Sequence, residues 1–345
     1  MKAFALARAS AAPDQLAGRV LCHDVRDAAG KLVARKGDRL DAAGAAAVLS
    51  APVEELHLLE IEPSDLHEEP AGARLSAAAA GDGVEVKGYV GGQWSLAAKT
   101  RGLLRVSTAP LAQVNALPGI SIFTLWDQQP VEPGESVAKA KVTPLAIPES
   151  LVAEAERAST GGLVRVAPFR PTVIGAVTRE ALEPRQRARF EAALQAKVDW
   201  FGSRLLPVRY SRPDAHEMAM HLEALLAEGA ELLIVAGASA LDPLDPVFLG
   251  IGLAGGHMER HGVPAHPGSL LFAAGLRGRA VLGMPTCGMF SQATTFDLAL
   301  PRLLAGEAVG NPELAALGHG GLLSQDSAYR FPPYRAAAAR GEMPE

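Results

Sequence analysis

Two aspartates, Asp242 and Asp245, lie three positions apart just after a continuous apolar segment that ends at Ala236. Carboxylates at this spacing could hold a hydrated Mg²⁺, and the metal could then neutralise charge in phosphoryl chemistry. The alternative is that both are solvated carboxylates in a tight turn between a strand and a helix, because a turn of this kind is a weak signal. The spacing leaves both interpretations open.

Small residues stand immediately before this pair: Gly237, Ala238 and Ser239. Such side chains would let a ligand approach the backbone amides closely, as phosphate groups require. A second segment, His266-Pro267-Gly268-Ser269, could present backbone groups in the same way, although a plain Pro-Gly turn is the simpler interpretation. These two segments are the candidate anion-binding loops.

The other reactive side chains have simpler structural interpretations. Cys287 lies in a loop ahead of a predicted helix, where a thiol pKa could fall, but a catalytic thiol is the less favoured alternative. His257 and His261 are four apart without the His-Glu-x-x-His order of a zinc site. Cys22-His23-Asp24 occupy consecutive strand positions, whose side chains point to opposite faces and cannot converge.

Composition narrows the classes of partner and compartment. The 345 residues carry a net charge of −5, and the 33 basic residues form no cluster, so we expect no nucleic-acid partner. The two cysteines are far apart and form no disulfide framework of the secreted type. The N-terminal apolar stretch is too short for a signal peptide, and no uncharged apolar run is long enough to span a membrane. We therefore expect a cytoplasmic protein with no membrane partner.

From Phe169 onward, apolar runs typical of buried strands alternate with helical patterns. This alternation predicts an α/β fold with a doubly wound, mostly parallel sheet. In such sheets the ligand site lies beyond the carboxyl ends of the strands. The predicted strands are Thr172–Val177, Leu205–Tyr210, Glu231–Ala236 and Ala280–Gly283, and the predicted helices are Pro184–Phe201, Pro213–Leu226 and Gln292–Leu304.

The preceding part of the chain is predicted to be a β-rich α+β region. Asp41 is expected to cap an Ala-rich helix that runs to about Leu49, whereas Gly81-Asp82-Gly83 and Gly91-Gly92 break the later chain into pieces too short for stable helices. The predicted division is a small α+β module at 1–70, a β-rich region at 71–147, a linker at 148–168, the α/β domain at 169–308 and a C-terminal tail at 309–345.

Four strand-end segments resemble, in the same order, the molybdenum-cofactor biosynthesis domain shared by molybdopterin molybdotransferases and adenylyltransferases. Thr178-Arg179-Glu180-Ala181-Leu182 resembles its Thr-Gly-x-Glu-Leu turn. Ile234–Ser239 with the downstream acids resembles Gly-Gly-x-Ser/Gly, Pro267-Gly268 resembles Pro-Gly-Lys-Pro, and Met284-Pro285 resembles the start of Leu-Pro-Gly-Asn-Pro. The clear match covers about 140 residues.

The sequence departs from that family at several of the same positions. Arg179 and Ala236 each replace a Gly, Ser269 replaces a Lys, and Thr286-Cys287-Gly288 replaces Gly-Asn-Pro. In the front part, Gly18–Val25 resembles the Gly-x-x-Leu-Ala-x-Asp-Val opening of molybdotransferases. The chain thus resembles a divergent branch of molybdopterin-binding proteins.

The resemblance implies a function in molybdenum cofactor biosynthesis or maturation. It implies molybdopterin, or a nucleotide form of it, as ligand or substrate, Mg²⁺ as a metal, and an apo-molybdoenzyme, other biosynthesis proteins or a second copy of the chain as partners. Two non-catalytic alternatives are a cofactor carrier or chaperone and a ligand-sensing protein. The implied catalytic and metal residues are Asp242 and Asp245, and the implied ligand contacts are Thr178, Glu180, Gly237, Ala238, Ser239, Pro267, Gly268, Ser269, Pro285 and Thr286.

Overall fold

The computed structural model of the chain describes residues 1–179, 181–290 and 293–334. The chain folds into two compact units. Unit 1 comprises Met1–Thr100, Arg105–Asp127 and Glu132–Val166, and unit 2 comprises Arg101–Leu104, Gln128–Val131 and the described residues from Ala167 onward. The finer five-part division stays a prediction.

The first half of the chain consists mainly of short strands. The strands are β1 (Lys2–Ala7), β2 (Val20–Leu21), β3 (Val25–Arg26), β4 (Leu32–Ala34), β5 (Glu55–Glu60), β6 (Asp65–His67), β7 (Val84–Val90), β8 (Gln93–Ala98), β9 (Gly102–Val106), β10 (Ile120–Thr124), β11 (Pro130–Val131), β12 (Ser136–Val142), β13 (Ala146–Pro148) and β14 (Val164–Pro168). The helices are α1 (Pro13–Leu16), α2 (Ala42–Ser50), α3 (Glu68–Ala79), α4 (Thr108–Asn115) and α5 (Glu149–Ala158).

Unit 1 contains several small antiparallel sheets. One has the order β1-β5-β2 and another the order β10-β12-β8-β7. As predicted, Asp41 caps α2, because its Oδ1 accepts the Gly44 amide at 2.7 Å. Val48 of this helix packs with the fully buried Leu56 and Leu58 of β5. The mixed α and β character expected of this region is therefore present.

The prediction that the Gly-rich stretch after Leu75 is too broken for helices is wrong. The 12-residue helix α3 extends to Ala79, and α4 lies between strands β9 and β10. In α3 the fully buried Ala71 and Leu75 lie four positions apart, so one helix face is apolar and buried. The glycine pattern marks the turns around the helices correctly but does not exclude the helices.

The second half alternates strands and helices. The strands are β15 (Val173–Thr178), β16 (Arg204–Leu205), β17 (Arg209–Tyr210), β18 (Leu232–Ala236), β19 (Gly256–His261), β20 (Phe272–Leu276) and β21 (Arg279–Met284). The helices are α6 (Pro184–Trp200), α7 (Ala215–Ala227), α8 (Pro246–Leu253), α9 (Phe296–Leu304) and α10 (Asn311–Ala315).

These strands form one seven-stranded mixed sheet among the described residues of unit 2. Its order is β16-β15-β18-β21-β20-β19, with β17 also paired to β15. The pairings among β15, β16, β17, β18 and β21 are parallel, whereas β20 and β19 are antiparallel to their neighbours. The predicted mixed α/β architecture is confirmed, and the antiparallel edge was not predicted.

The central strands are buried on both faces, as their continuous apolar sequences predict. In β18, Ile234 belongs to a core that includes Phe190 of α6 and Phe296 of α9. The adjacent Val235 belongs to a second core that includes residues of α7 and α8. Successive strand residues point to opposite faces, so each face is covered by its own pair of helices.

Two local differences from the predicted elements have clear physical reasons. The predicted strand Leu205–Tyr210 is divided into β16 and β17, because Pro207 between them has no amide to donate to a neighbouring strand. The expected C-terminal tail contributes Leu314 and Leu317, both at most 5% exposed, to the core of unit 2. These leucines are buried because that core extends past α9.

Across residues 1–179, 181–290 and 293–334, no helix combines the length and the apolar character that crossing a bilayer requires.

Helix α7 carries one buried and one exposed methionine, and substituting each of them tests the packing of α7 against the core. Met218 is 0% exposed and Met220 is 62% exposed on the same helix. We expect Met218→Ala to lower the free energy of unfolding by about 2–5 kcal/mol, because it leaves a cavity between α7 and the sheet. The exposed control, Met220→Ala, should change it by less than about 0.5 kcal/mol. Urea unfolding followed by circular dichroism checks both, and equal losses would contradict the burial of this face.

Candidate functional site

Strand register brings most of the predicted ligand segments to one edge of the unit 2 sheet. Thr178 of β15 pairs with Ala236 of β18, and Ala236 pairs with Met284 of β21. Strand β20 runs antiparallel to β21, so its first residue, Phe272, lies at the same edge. The segments after Thr178, Ala236 and Met284, and the segment before Phe272, therefore meet at the carboxyl edge of the parallel strands. We call this the carboxyl edge.

The segment after β18 makes a sharp turn. Gly237 has φ +79°, a left-handed conformation that side chains disfavour, and it is buried. Ala238 is half-buried and Ser239 is exposed. The Ser239 amide donates to Asp245 Oδ2 at 2.9 Å. Ser239 is thus the exposed residue of this turn, and its amide is already bound to a carboxylate.

Asp245 is a structural link at this edge. It is 2% exposed, and its carboxylate accepts the amides of Ser239 and Val247, each at 2.9 Å. The second of these bonds caps α8, whose first residue is Pro246. Arg179, at the end of β15, forms an ion pair with Asp245 Oδ2 at 2.7 Å. Both oxygens of this carboxylate are therefore occupied.

Asp242 has a different environment from Asp245. It is exposed, and its Oδ1 accepts the Leu244 amide at 2.9 Å, which forms a local side-chain turn. Its backbone carbonyl accepts the Asp245 amide at 3.1 Å. In the part of the chain that the structure describes, no group of three or more His, Cys, Asp or Glu side chains is placed to hold a metal ion.

The Pro267–Ser269 segment is held from beneath by the start of α9. The Thr295 amide donates to the Pro267 carbonyl at 3.1 Å, and the Thr295 hydroxyl donates to the Gly268 carbonyl at 2.5 Å. Gly268 has φ +103°, and a Cβ there would overlap the Thr295 hydroxyl oxygen. Only glycine fits this position, which gives the predicted Pro-Gly turn a packing reason.

The remaining predicted contacts differ in accessibility. Thr178 is 0% exposed and Pro285 is buried, so these two side chains pack inside unit 2 at the strand ends. Thr286 and Cys287 are exposed at the end of β21. Neighbouring atoms nevertheless desolvate the Cys287 sulfur and raise the pKa of its thiol, which opposes a role as an activated nucleophile. Glu180 lies outside the described residues.

Arginines near the carboxyl edge were not among the predicted contacts. The Arg187 guanidinium lies 4.2 Å from the ring centre of Tyr210, and that of Arg189 lies 5.5 Å from the ring centre of Phe290. Tyr210 ends β17 and Phe290 lies in the segment after β21. The signal in the sequence was the basic start of α6, where arginines alternate with other residues.

Unit 1 has an open groove that the sequence did not indicate. Its volume is about 630 Å³, and it is lined by the ends of α3 and α5 together with Gly81, Gly83 and Lys99. Glu156 also lines it, but this carboxylate is held by Arg74 at 2.7 Å. The charged side chains that line the groove are Asp82, Lys99 and Glu156.

Comparison with known proteins finds similarities among solved structures. No family model matches the chain, and no curated protein matches it. The chain is similar to the molybdopterin biosynthesis MoeA protein from Pyrococcus horikosii, with 13% identity and a TM-score of 0.29 over 72% of this chain and 80% of that one. It is also similar to a NadC deletion mutant, with 12% identity and a TM-score of 0.17 over 50% of this chain and 68% of that one. TM-scores this low do not define a shared fold.

The two aspartates give a matched pair of substitutions. We expect Asp245→Ala to lower the free energy of unfolding by about 2 kcal/mol, because it removes a helix cap and leaves the half-buried Arg179 without its carboxylate. Asp242→Ala, at an exposed turn position, should cost less than about 1 kcal/mol. Urea unfolding of both variants measures the difference. An Asp242→Ala loss as large as that of Asp245→Ala would show that the two carboxylates act as one unit.

Proposed function

We propose that unit 2 is a doubly wound α/β domain that binds a phosphorylated pterin of the molybdopterin type at its carboxyl edge, and that the protein acts in molybdenum cofactor handling or maturation. The observation that carries this proposal is the meeting of the segments after Thr178, Ala236 and Met284 with the segment before Phe272. These are the segments whose residues resemble the molybdopterin-binding family. Ligands of open α/β sheets bind at this kind of edge.

The charge at this edge fits an anionic ligand. Arg179 follows β15 directly, and its Nε–H is buried with no acceptor among the described residues. Buried donors are nearly always paired in folded proteins, so we expect an ordered water or a ligand oxygen to accept from this one. Arg187 and Arg189 add positive charge at the start of α6. A phosphate-bearing ligand is favoured over a neutral one.

Two functional alternatives remain for the same ligand. In the first, the protein is a molybdotransferase-like enzyme in which Asp242 and Asp245 hold Mg²⁺. In the second, it is a non-catalytic carrier that delivers molybdopterin to an apo-molybdoenzyme, or a sensor of that ligand. The contacts of Asp245 favour the non-catalytic alternative. Its two oxygens already accept the amides of Ser239 and Val247 and form an ion pair with Arg179. This donor set does not fit a shared Mg²⁺, so no metal-dependent step is assigned to the pair.

Ser239 tests where the ligand binds. We expect Ser239→Trp to weaken molybdopterin binding at least tenfold, or about 1.4 kcal/mol, because a bulky side chain would cover the exposed turn after Gly237. Its backbone bond to Asp245 remains, so the fold should be unaffected. Fluorescence titration with molybdopterin isolated from a molybdoenzyme measures the affinity. The matched control is Ser50→Trp, an exposed serine of α2 in unit 1, and an unchanged affinity in folded Ser239→Trp would place the ligand elsewhere.

Substitution of Asp242 distinguishes the carrier alternative from the enzyme alternative. We expect molybdopterin affinity to be the same with and without Mg²⁺, and Asp242→Asn to bind like the parent, because only a solvated turn carboxylate is changed. Calorimetry with and without Mg²⁺, paired with a molybdate-insertion assay, checks both points. Mg²⁺-dependent insertion that is lost in Asp242→Asn would instead establish the enzyme.

A further inference from the structure

The C-terminal segment is paired with the loop that holds Pro267–Ser269. The His266 amide donates to the Gly321 carbonyl at 2.8 Å, and the Leu323 amide donates to the His266 carbonyl at 2.8 Å. Both backbone groups of the residue before Pro267 are therefore bound to residues 321–323. We call residues 318–334 the C-terminal strap, and His266–Ser269 the ligand loop.

The strap lies very close to the chain that leads into the ligand loop. A Cβ at Gly321 would lie 2.5 Å from the Pro264 carbonyl oxygen and would also overlap the Leu317 carbonyl oxygen. Both atoms are backbone, so neither can move aside as a flexible side chain could. A Cβ at Gly318 would instead make ordinary contacts of 3.5 Å with the Pro264 side chain. The approach at Gly321 thus depends on the absence of a side chain.

The other end of the strap, at Tyr334, contacts the start of α9, which packs against the ligand loop. The Tyr334 hydroxyl donates to Asp297 Oδ1 at 3.1 Å, and Oδ2 of the same carboxylate accepts the Thr294 amide at 2.8 Å. Asp297 is 0% exposed and forms a buried ion pair with Lys197. Burial beside Asp297 raises the pKa of Tyr334, which keeps its hydroxyl protonated as a donor.

The strap and the α9 start therefore hold the ligand loop from two directions. Thr295, next to Thr294, donates to the carbonyls of Pro267 and Gly268, while the strap binds His266. The Asp297 carboxylate binds both Lys197 of α6 and the Thr294 amide, so it joins the start of α9 to α6. A loop that is already ordered loses less conformational entropy when a ligand binds.

We infer that the C-terminal strap positions the ligand loop, with Gly321 and Asp297 as positioning residues, so that strap docking and molybdopterin binding favour one another. This inference rests on the proposed function. Coupling of this kind is reciprocal: if the docked strap strengthens ligand binding, the ligand must stabilise the docked strap to the same extent. A strap that only completes the core of unit 2 would show no such response.

Hydrogen exchange resolved to single amides in the full-length protein tests the inference. The variant is Gly321→Ala, and the matched control is Gly318→Ala. The amides of Val263 and Leu271 are the reporters, since they bond to the carbonyls of Ser269 and Gly268 and not to the strap. Without ligand, we expect Gly321→Ala to speed exchange at both reporters at least about tenfold, which is about 1.4 kcal/mol of lost protection, and Gly318→Ala to leave them unchanged.

The ligand arm uses molybdopterin isolated from a molybdoenzyme. In the parent, binding should slow exchange at the Leu323 amide as well as at the two reporters, and Gly321→Ala should bind at least fivefold more weakly. If Gly321→Ala speeds exchange only at His266 and Leu323, or if the ligand protects the loop without the strap, the inference is overturned. If Gly321→Ala does not fold, Tyr334→Phe replaces it, with a smaller increase expected at the same reporters.

The two arms separate failure of this inference from failure of the proposed function. Absence of molybdopterin binding in the parent would overturn the proposed function and the ligand coupling together. The exchange rates without ligand would still decide whether the strap holds the loop. Normal binding together with unchanged reporters in Gly321→Ala would overturn the inference and leave the proposed function standing.

Discussion

The parallel pairing of β15, β18 and β21 is the constraint on which the rest of unit 2 depends. These strands are apolar on both faces, and their backbone groups are bound within the sheet. An unpaired polar group in the buried interior of a sheet costs free energy. Polar side chains that bind a ligand must therefore lie where the strands end. The parallel direction then brings several strand ends to one edge, where Arg179, Ser239 and Thr286 lie.

The ion pair between Arg179 and Asp245 organises that edge. It joins the end of β15 to the start of α8, and the same carboxylate fixes the Ser239 amide. A group that resembles a metal ligand in sequence thus has a structural role here. Arg179 is the partner that the Asp245 carboxylate needs at 2% exposure, since a buried charge requires a counter-charge or hydrogen bonds. This is the physical basis for favouring binding over metal-dependent catalysis.

Local sequence signals predicted the elements that depend on nearby residues. The cap at Asp41, the start of α6 at Pro184 and the buried strand ending at Ala236 follow from capping, proline and apolar runs. Asp245-Pro246 carries the same helix-start signal, which would have separated Asp245 from Asp242 in advance. The helix α3 was missed because its Ala-rich sequence gives little contrast between its buried and exposed faces.

The sequence by itself determined that an α/β unit follows Phe169 and which segments leave its strands. Only the tertiary structure decided that β19 and β20 turn antiparallel, that Asp245 faces Arg179, and that residues 321–323 pair with His266. The physical reason is distance along the chain. Capping and apolar periodicity act within a few residues, whereas an ion pair over 66 positions or a backbone pair over 55 depends on which surfaces the folded cores bring together.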